Sequence, residues 1–484
     1  MFPLSSNRTL LAVCAAMSLA ALSDAPAQLV RVPNTTLTVP PAAPPATLSA
    51  TGAFSDLATL TPNPGIVAYT PNVSFWSDYA RKSRWFSIPN VADRMTFSAD
   101  GLWSFPTGMV WVKQFDLPNE RTNPDGPSRR IETRFLVKTD SGIVGFTYLW
   151  RADQREADLV GEDGTDVFYP VLVNGQPTTQ RWHYPARYEC MECHAPVAGH
   201  ALGFTSRQMN ASHPYGAQNL NQIQALSDAG YFTAPVSGVH NLPALAKASD
   251  TSQSLEWRVR SYFAANCVQC HQPGGKSYAN WDARPQIKTD AAEIINGMLN
   301  YVGSDPANRF VVPGQPNRSM ALLRLRGDEP RMPPIATTEL DPEAIALVTA
   351  WITQELPTRL SFPQWQVQYF GSTRDPNAAA TADPDHDGQT NLSEYFTYTD
   401  PTRAESAYPT PQGSTANGGT EARFQFLQPA NRGALVETST DLANWTLWDV
   451  PENSLTYPAA AIFRTIVAPT DERQRAFRLR FSAP

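Results

Sequence analysis

The segment SLEWRVRSYFAANCVQCH, residues 254–271, decides how the middle of this chain is read. Leu255, Val259, Tyr262 and Phe263 recur at helical spacing, which predicts an amphipathic helix over Ser254 to Ala265. That helix delivers the chain to Cys267-Val268-Gln269-Cys270-His271, and the same pattern stands upstream as Cys190-Met191-Glu192-Cys193-His194. Four of the five cysteines fall in these two copies, and the fifth, Cys14, lies in an N-terminal apolar run. No cysteine of the two motifs is left over for a structural disulfide.

Two thiols separated by two residues, with a histidine directly after them, fit covalent haem attachment. The thiols form thioethers to the two vinyl groups of one haem, and the histidine is set under the iron as axial ligand. Two Cys-x-x-Cys pairs could instead hold structural zinc, and one pair alone could be a dithiol redox site. Zinc accounts for neither His194 nor His271, and the strand and helix pattern of a thioredoxin-like setting is missing around both pairs. The expectation is therefore two haem c groups, one on Cys190, Cys193 and His194, the other on Cys267, Cys270 and His271.

After the second motif comes a loop, Gln272-Pro273-Gly274-Gly275, and farther on Arg331-Met332-Pro333-Pro334. Asp341-Pro342-Glu343 then opens a helix, with aspartate at the N-cap and proline in the first turn, ahead of Ile345, Leu347, Val348, Trp351 and Ile352. This order of parts resembles a class I cytochrome c domain over residues 250–356. The resemblance implies an all-α fold with Met332, 61 residues after His271, binding the iron opposite the histidine. Met298 and Met320 are expected to pack in the core. A His/Met pair implies a relatively high potential and no open position for substrate.

The first motif has no such loop after it. Met209 leads the candidates for a sixth ligand, with His200 and His213 behind it and a five-coordinate iron or a ligand from elsewhere as further alternatives.

Ahead of the motifs the chain reads as antiparallel β structure. Asp125-Gly126, Asp140-Ser141-Gly142, Asp163-Gly164 and Asn174-Gly175 punctuate strand-like runs at Arg130 to Lys138, Ile143 to Trp150 and Phe168 to Val173. A β-sandwich over residues 50–186 is expected, with a first haem-binding segment at 187–248. Residues 28–49, five of them proline, read as an extended linker. The strings Phe75-Trp76-Ser77-Asp78 and Glu132-Thr133-Arg134-Phe135, with the haem motif after them, make residues 50–230 similar to a family of uncharacterised secreted bacterial haem proteins. That resemblance implies redox partner proteins, among them a secreted dehydrogenase as electron donor.

Beyond the second motif, Asp383, Asp385, Asp387, Gly388, Asn391 and Glu394 occupy positions 1, 3, 5, 6, 9 and 12 of an EF-hand loop, and Gln389 offers its carbonyl at position 7. Calcium is expected within an EF-hand-like segment at 362–402, as a stiffening ion. Strand-like runs at Ala422 to Leu427, Ala434 to Thr438, Ala461 to Val467 and Ala476 to Phe481 read as a small C-terminal β domain over 405–484.

The 484 residues thus read as a multidomain chain: N-terminal antiparallel β-sandwich, central all-α cytochrome c domain, EF-hand-like calcium loop and small C-terminal β domain. Arg8, the apolar run to Leu22 and Ala25-Pro26-Ala27 read as a signal peptide at 1–27, which implies a periplasmic or extracellular protein. A net charge of −7 without a basic run argues against nucleic acid and anionic membrane surfaces, and no segment suits a membrane span. Two functions follow from these features. One is an electron carrier; the other is a dihaem oxidoreductase of peroxidase or oxidase type with substrate access at the first haem.

Overall fold

A computed structural model describes residues 29–335, 337–416, 421–469 and 476–484. The expected signal peptide, with Cys14, lies outside the described residues.

The N-terminal region is organised by one six-stranded antiparallel sheet in simple sequential order. Its strands are β1 (Ile66–Ala68), β2 (Arg81–Ser87), β3 (Val110–Pro118), β4 (Ser128–Thr139), β5 (Gly142–Trp150) and β6 (Ala157–Leu159). Side chains alternate between its faces. On β4, Phe135 and Val137 join Leu48, Trp85, Val112 and Tyr148 in one core. Arg134 and Leu136 point to the other side, where Phe86 and Trp111 join Phe204 and Met209.

The β-sandwich expectation is corrected by this arrangement. The second face is covered by the helices and loops of residues 187–242 and, around Phe115 and Glu132, by the two-stranded hairpin Thr165–Val173/Gln176–Tyr184 closed at Asn174-Gly175, rather than by a matching sheet. The expected linker is corrected as well. Val39 and Leu48 are buried, and the amide of Leu48 donates to Ala157 O at 2.9 Å. Proline removes donors from this stretch, but the residues just after the last of them, Ala46 to Leu48, pair with the sheet edge.

The all-α central domain is not what the chain builds. Strand outweighs helix overall, and the described residues of 250–356 hold three α-helices, Leu255–Asn266, Met320–Arg326 and Pro342–Ala350, the last running into a π-helical turn at Trp351–Glu355. Between Cys267 and Ser319 lie loops and two single 3₁₀ turns, Thr289–Ala291 and Pro316–Arg318. That stretch is rich in Pro, Gly, Asn and Asp and lacks a 3.6-residue apolar period, so no longer helix can bury a face there. The helix starts do follow the local chemistry. Ser254 Oγ accepts from Trp257 N at 3.2 Å, and Asp341 Oδ1 from Ala344 N at 3.0 Å. Val259, Phe263, Phe310, Leu322 and Trp351 form the core of this region.

The C-terminal runs pair as two three-stranded sheets around Phe424, Phe426, Val436 and Ile466. They dock on the central region, with Ser254 N donating to Tyr457 O at 2.7 Å. Among the described residues, no helix is long and apolar enough to cross a membrane.

Candidate functional site

The two Cys-x-x-Cys-His motifs, 77 positions apart in register, line one cavity of about 650 Å³ together with Met332. The first motif reaches it from the sheet. Its helix, Arg187–Cys193, lies across β5, where Gly145 sits directly beneath Cys190. A Cβ at residue 145 would stand 2.6 Å from Cys190 Sγ, closer than any side chain permits. His194 follows the helix end, and its Nδ1 donates to the carbonyl of His200 at 2.5 Å, which leaves Nε2 as the free nitrogen. Burial and then Lys113 push this imidazole down to about 3, so it is neutral, the form that binds metal.

The second motif follows helix Leu255–Asn266 by direct continuation. Cys267 N donates to Phe263 O at 2.9 Å, and His271 N to Cys267 O at 2.9 Å. The His271 ring stacks on Trp281 at 4.4 Å, and Trp281 on Phe310 at 4.2 Å. Burial, aided by Arg324, pushes His271 down to about 4, and its buried Nδ1 has no hydrogen-bond partner. The motifs meet through Lys276 Nζ and Glu192 Oε1 at 2.6 Å. That pair is half exposed and adds little stability, but it fixes how close the two loops lie.

The donor set fits haem better than zinc. All four thiols are free, and burial pushes Cys193 up to about 11 and Cys267 up to about 12. Among the described residues, only Asp383, Asp385 and Asp387 bring three metal-ligand atoms within 4.8 Å of one another, so the thiols are not gathered into a tetrahedral set. Instead they stand at the rim of a large apolar cavity with one neutral histidine each.

The Met332 loop is held from the N-terminal region. Buried Asp78 accepts from Thr338 N at 2.7 Å, Thr338 Oγ1 at 3.0 Å and Glu339 N at 3.1 Å. Trp76 Nε1 donates to Glu339 O at 3.0 Å, while Trp76 N donates to Asn266 Oδ1 at 2.7 Å, one residue before Cys267. The string Phe75-Trp76-Ser77-Asp78 is therefore a clamp joining the sheet region to both sides of the second motif. Sequence reading noticed the string and had no means of placing its partners, more than 180 residues away.

The sequence candidates for a sixth ligand at the first site are corrected. Met209 is fully buried in the core beside Phe204 and Ile223 and does not line the cavity. His213 Nδ1 pairs with Thr70 Oγ1 at 3.1 Å, and His200 holds the His194 ring through its carbonyl. Neither lines the cavity. Met298 is two-thirds exposed rather than packed, whereas Met320 is buried against the cavity.

What sequence reading missed is the cationic row on the sheet. Strand register places Arg84 beside Lys113 and Lys113 beside Arg134 on the cavity side. Arg134 pairs with Glu132, and its Nη2 donates at 3.0 Å. Lys113 lines the cavity, and burial followed by Arg84 and Arg134 pushes it down to about 7. Alternating cations in β2 to β4 were the available signal.

The acidic loop lies between helices Phe362–Phe370 and Asn391–Thr397. Gly388 takes φ +91°, the left-handed turn required at the sixth position. Asp383 Oδ1, Asp385 Oδ2 and Glu394 Oε2 are buried without partners, and burial with Asp385 and Asp387 pushes Glu394 up to about 7. These oxygens and the Asp387 carboxylate could hold calcium, with the Gln389 carbonyl adding to them. Asn391 also keeps a buried Oδ1 without a partner, so it stays available as the expected ligand. Its amide donates to Asn377 O at 2.6 Å and Ala379 O at 2.8 Å, tying the loop to the turn before it.

No family model matches this sequence, and comparison with curated proteins and with solved structures returns no match.

Proposed function

We propose that the chain is a secreted dihaem c-type cytochrome, an electron-transfer protein whose two haem-binding motifs would hold their groups in one shared cavity. The observation that carries this reading is the convergence of both complete motifs, with Met332, on that single cavity. Haem c supplies one-electron chemistry at its iron when bound. The chain's own part is attachment and orientation. Cys190 and Cys193 hold one group, Cys267 and Cys270 the other. His194 offers Nε2 because Nδ1 is engaged by His200, and His271 is oriented by its stack on Trp281. Met332 would be a further ligand to the second group, ahead of the 338–339 segment that Asp78 and Trp76 hold. The largely apolar lining would strengthen each electrostatic contact inside. Redox partner proteins would exchange electrons at the cavity rim. Calcium in the acidic loop is proposed as a stiffening ion for residues 383–394.

The test is a pyridine haemochrome assay on the mature protein and on a Cys267→Ser/Cys270→Ser double variant. Two covalent haems per chain falling to one supports the reading, and no covalent haem in the unsubstituted protein overturns it.

A further inference from the structure

Resting on the haem reading, we infer that His200 and Trp281 are positioning residues that set the two irons at different potentials, so that an electron held at the first motif moves to the second. The two motif histidines stand in the same pattern and in different company. His194 Nδ1 donates to the His200 carbonyl at 2.5 Å, and in return His200 Nδ1 donates to the His194 carbonyl at 3.2 Å. The chain between them is tightly wound. Pro196–Ala198 forms a single 3₁₀ turn, Gly199 and His200 take φ +73° and +62°, and His200 N donates to Ala195 O at 3.2 Å. A left-handed backbone is unfavourable for histidine, and the returned ring-to-carbonyl bond helps to hold it there. That conformation brings the His200 carbonyl onto the motif histidine.

His271 has no such acceptor. Its Nδ1 is buried and, among the described residues, makes no hydrogen bond. What covers the ring is Trp281, stacked on it at 4.4 Å and 28°, only 5% exposed and backed in turn by Phe310 at 4.2 Å and 22°. An indole face shields the imidazole from water and offers its N–H no lone pair. A metal-bound histidine whose other N–H is held by an acceptor is the more basic ligand and favours ferric iron; one without an acceptor is the weaker donor and favours ferrous iron. The first iron is therefore the lower in potential. One electron leaves the ferrous first iron, which becomes ferric, and reduces the ferric second iron to ferrous.

The experiment is a spectroelectrochemical titration of the unsubstituted holoprotein and of His200→Ala, His200→Asn, Trp281→Phe and Trp281→Leu, with covalent haem counted on each sample. The Cys267→Ser/Cys270→Ser variant, which keeps only the first haem, assigns the two potentials. Expected for the unsubstituted protein is the lower potential at the first haem. His200→Ala loses the returned bond and should raise that potential, moving the sharing of an electron about tenfold toward the first haem, about 59 mV for one electron. His200→Asn tolerates the left-handed backbone and offers an amide donor, so it should keep the original value. Trp281→Leu opens His271 Nδ1 to water and should lower the second potential alone, whereas Trp281→Phe keeps the aromatic face and should leave it in place. A first haem at the higher potential in the unsubstituted protein overturns the inference. Two retained haems with unmoved potentials in His200→Ala overturn it too. If His200→Ala loses the first haem, Trp281→Leu decides: a lowered second potential supports the inference and an unmoved one overturns it. Fewer than two haems in the unsubstituted protein would sink the haem reading itself, a different result from any of these.

Discussion

The two halves of the cavity carry the same five-residue pattern on opposite kinds of support. The second motif hangs on helix Leu255–Asn266, and its stacking partners Trp281 and Phe310 come from the next 50 residues of chain. The first motif lies on a sheet whose first strand begins at Ile66, more than 120 residues before Cys190, and its surroundings are set by the registers of β2 to β5. A site encoded locally tolerates distant change; a site encoded by strand register does not, because a one-residue slip turns every side chain to the other face.

The sharpest way to break this contrast is Gly145→Val. No side chain fits between β5 and Cys190, so the motif helix must lift, at a cost of about 1–3 kcal/mol for overpacking. Covalent haem should fall from two per chain toward one, with the loss at the first motif, as read by mass spectrometry of haem peptides. Retention of both haems would show that the sheet does not seat the first motif.

A smaller effect is expected where the halves touch. Asp78→Ala strips the acceptor from two backbone amides and one hydroxyl of the 338–339 loop, costing about 1–3 kcal/mol for buried donors left unpaired. The methionine-to-iron band of the second haem should weaken and its midpoint potential drop, while the first haem keeps its spectrum. Equal change at both haems would mean that Asp78 supports the whole molecule rather than the Met332 loop.

The smallest effect concerns the acidic loop, a third region encoded locally. Glu394 is raised from 4.5 to about 7 in the folded chain without calcium. A carboxyl raised by folding binds its proton more tightly in the folded state, so stability falls as pH rises from about 4.5 to 7 and is level beyond. Calcium-free protein should therefore melt at a lower temperature at pH 8 than at pH 5, and Glu394→Gln should flatten that slope. Millimolar calcium should restore the melting temperature at pH 8.

The same division runs through what was legible in the sequence. The motifs, the caps at Ser254 and Asp341, the turn at Asn174-Gly175 and the acidic loop were readable because each depends on residues within a few positions of one another. The all-α central domain and the β-sandwich were misread because helical starts and strand runs say nothing about how far an element continues or what covers its second face. Met209 was misread for a related reason. A methionine near a motif in sequence can be carried into the core by its own short helix, Ser206–Met209.

Sequence alone carries the proposed chemistry of attachment, since thioether spacing and the adjacent histidine are properties of five consecutive residues. Only the tertiary structure decided that both motifs line one cavity, that Asp78 holds the 338–339 segment, and that Lys113 lines the same cavity. Those relations join residues 77 to 260 positions apart, and burial, strand register and hydrogen bonding bring them together where no spacing rule reaches.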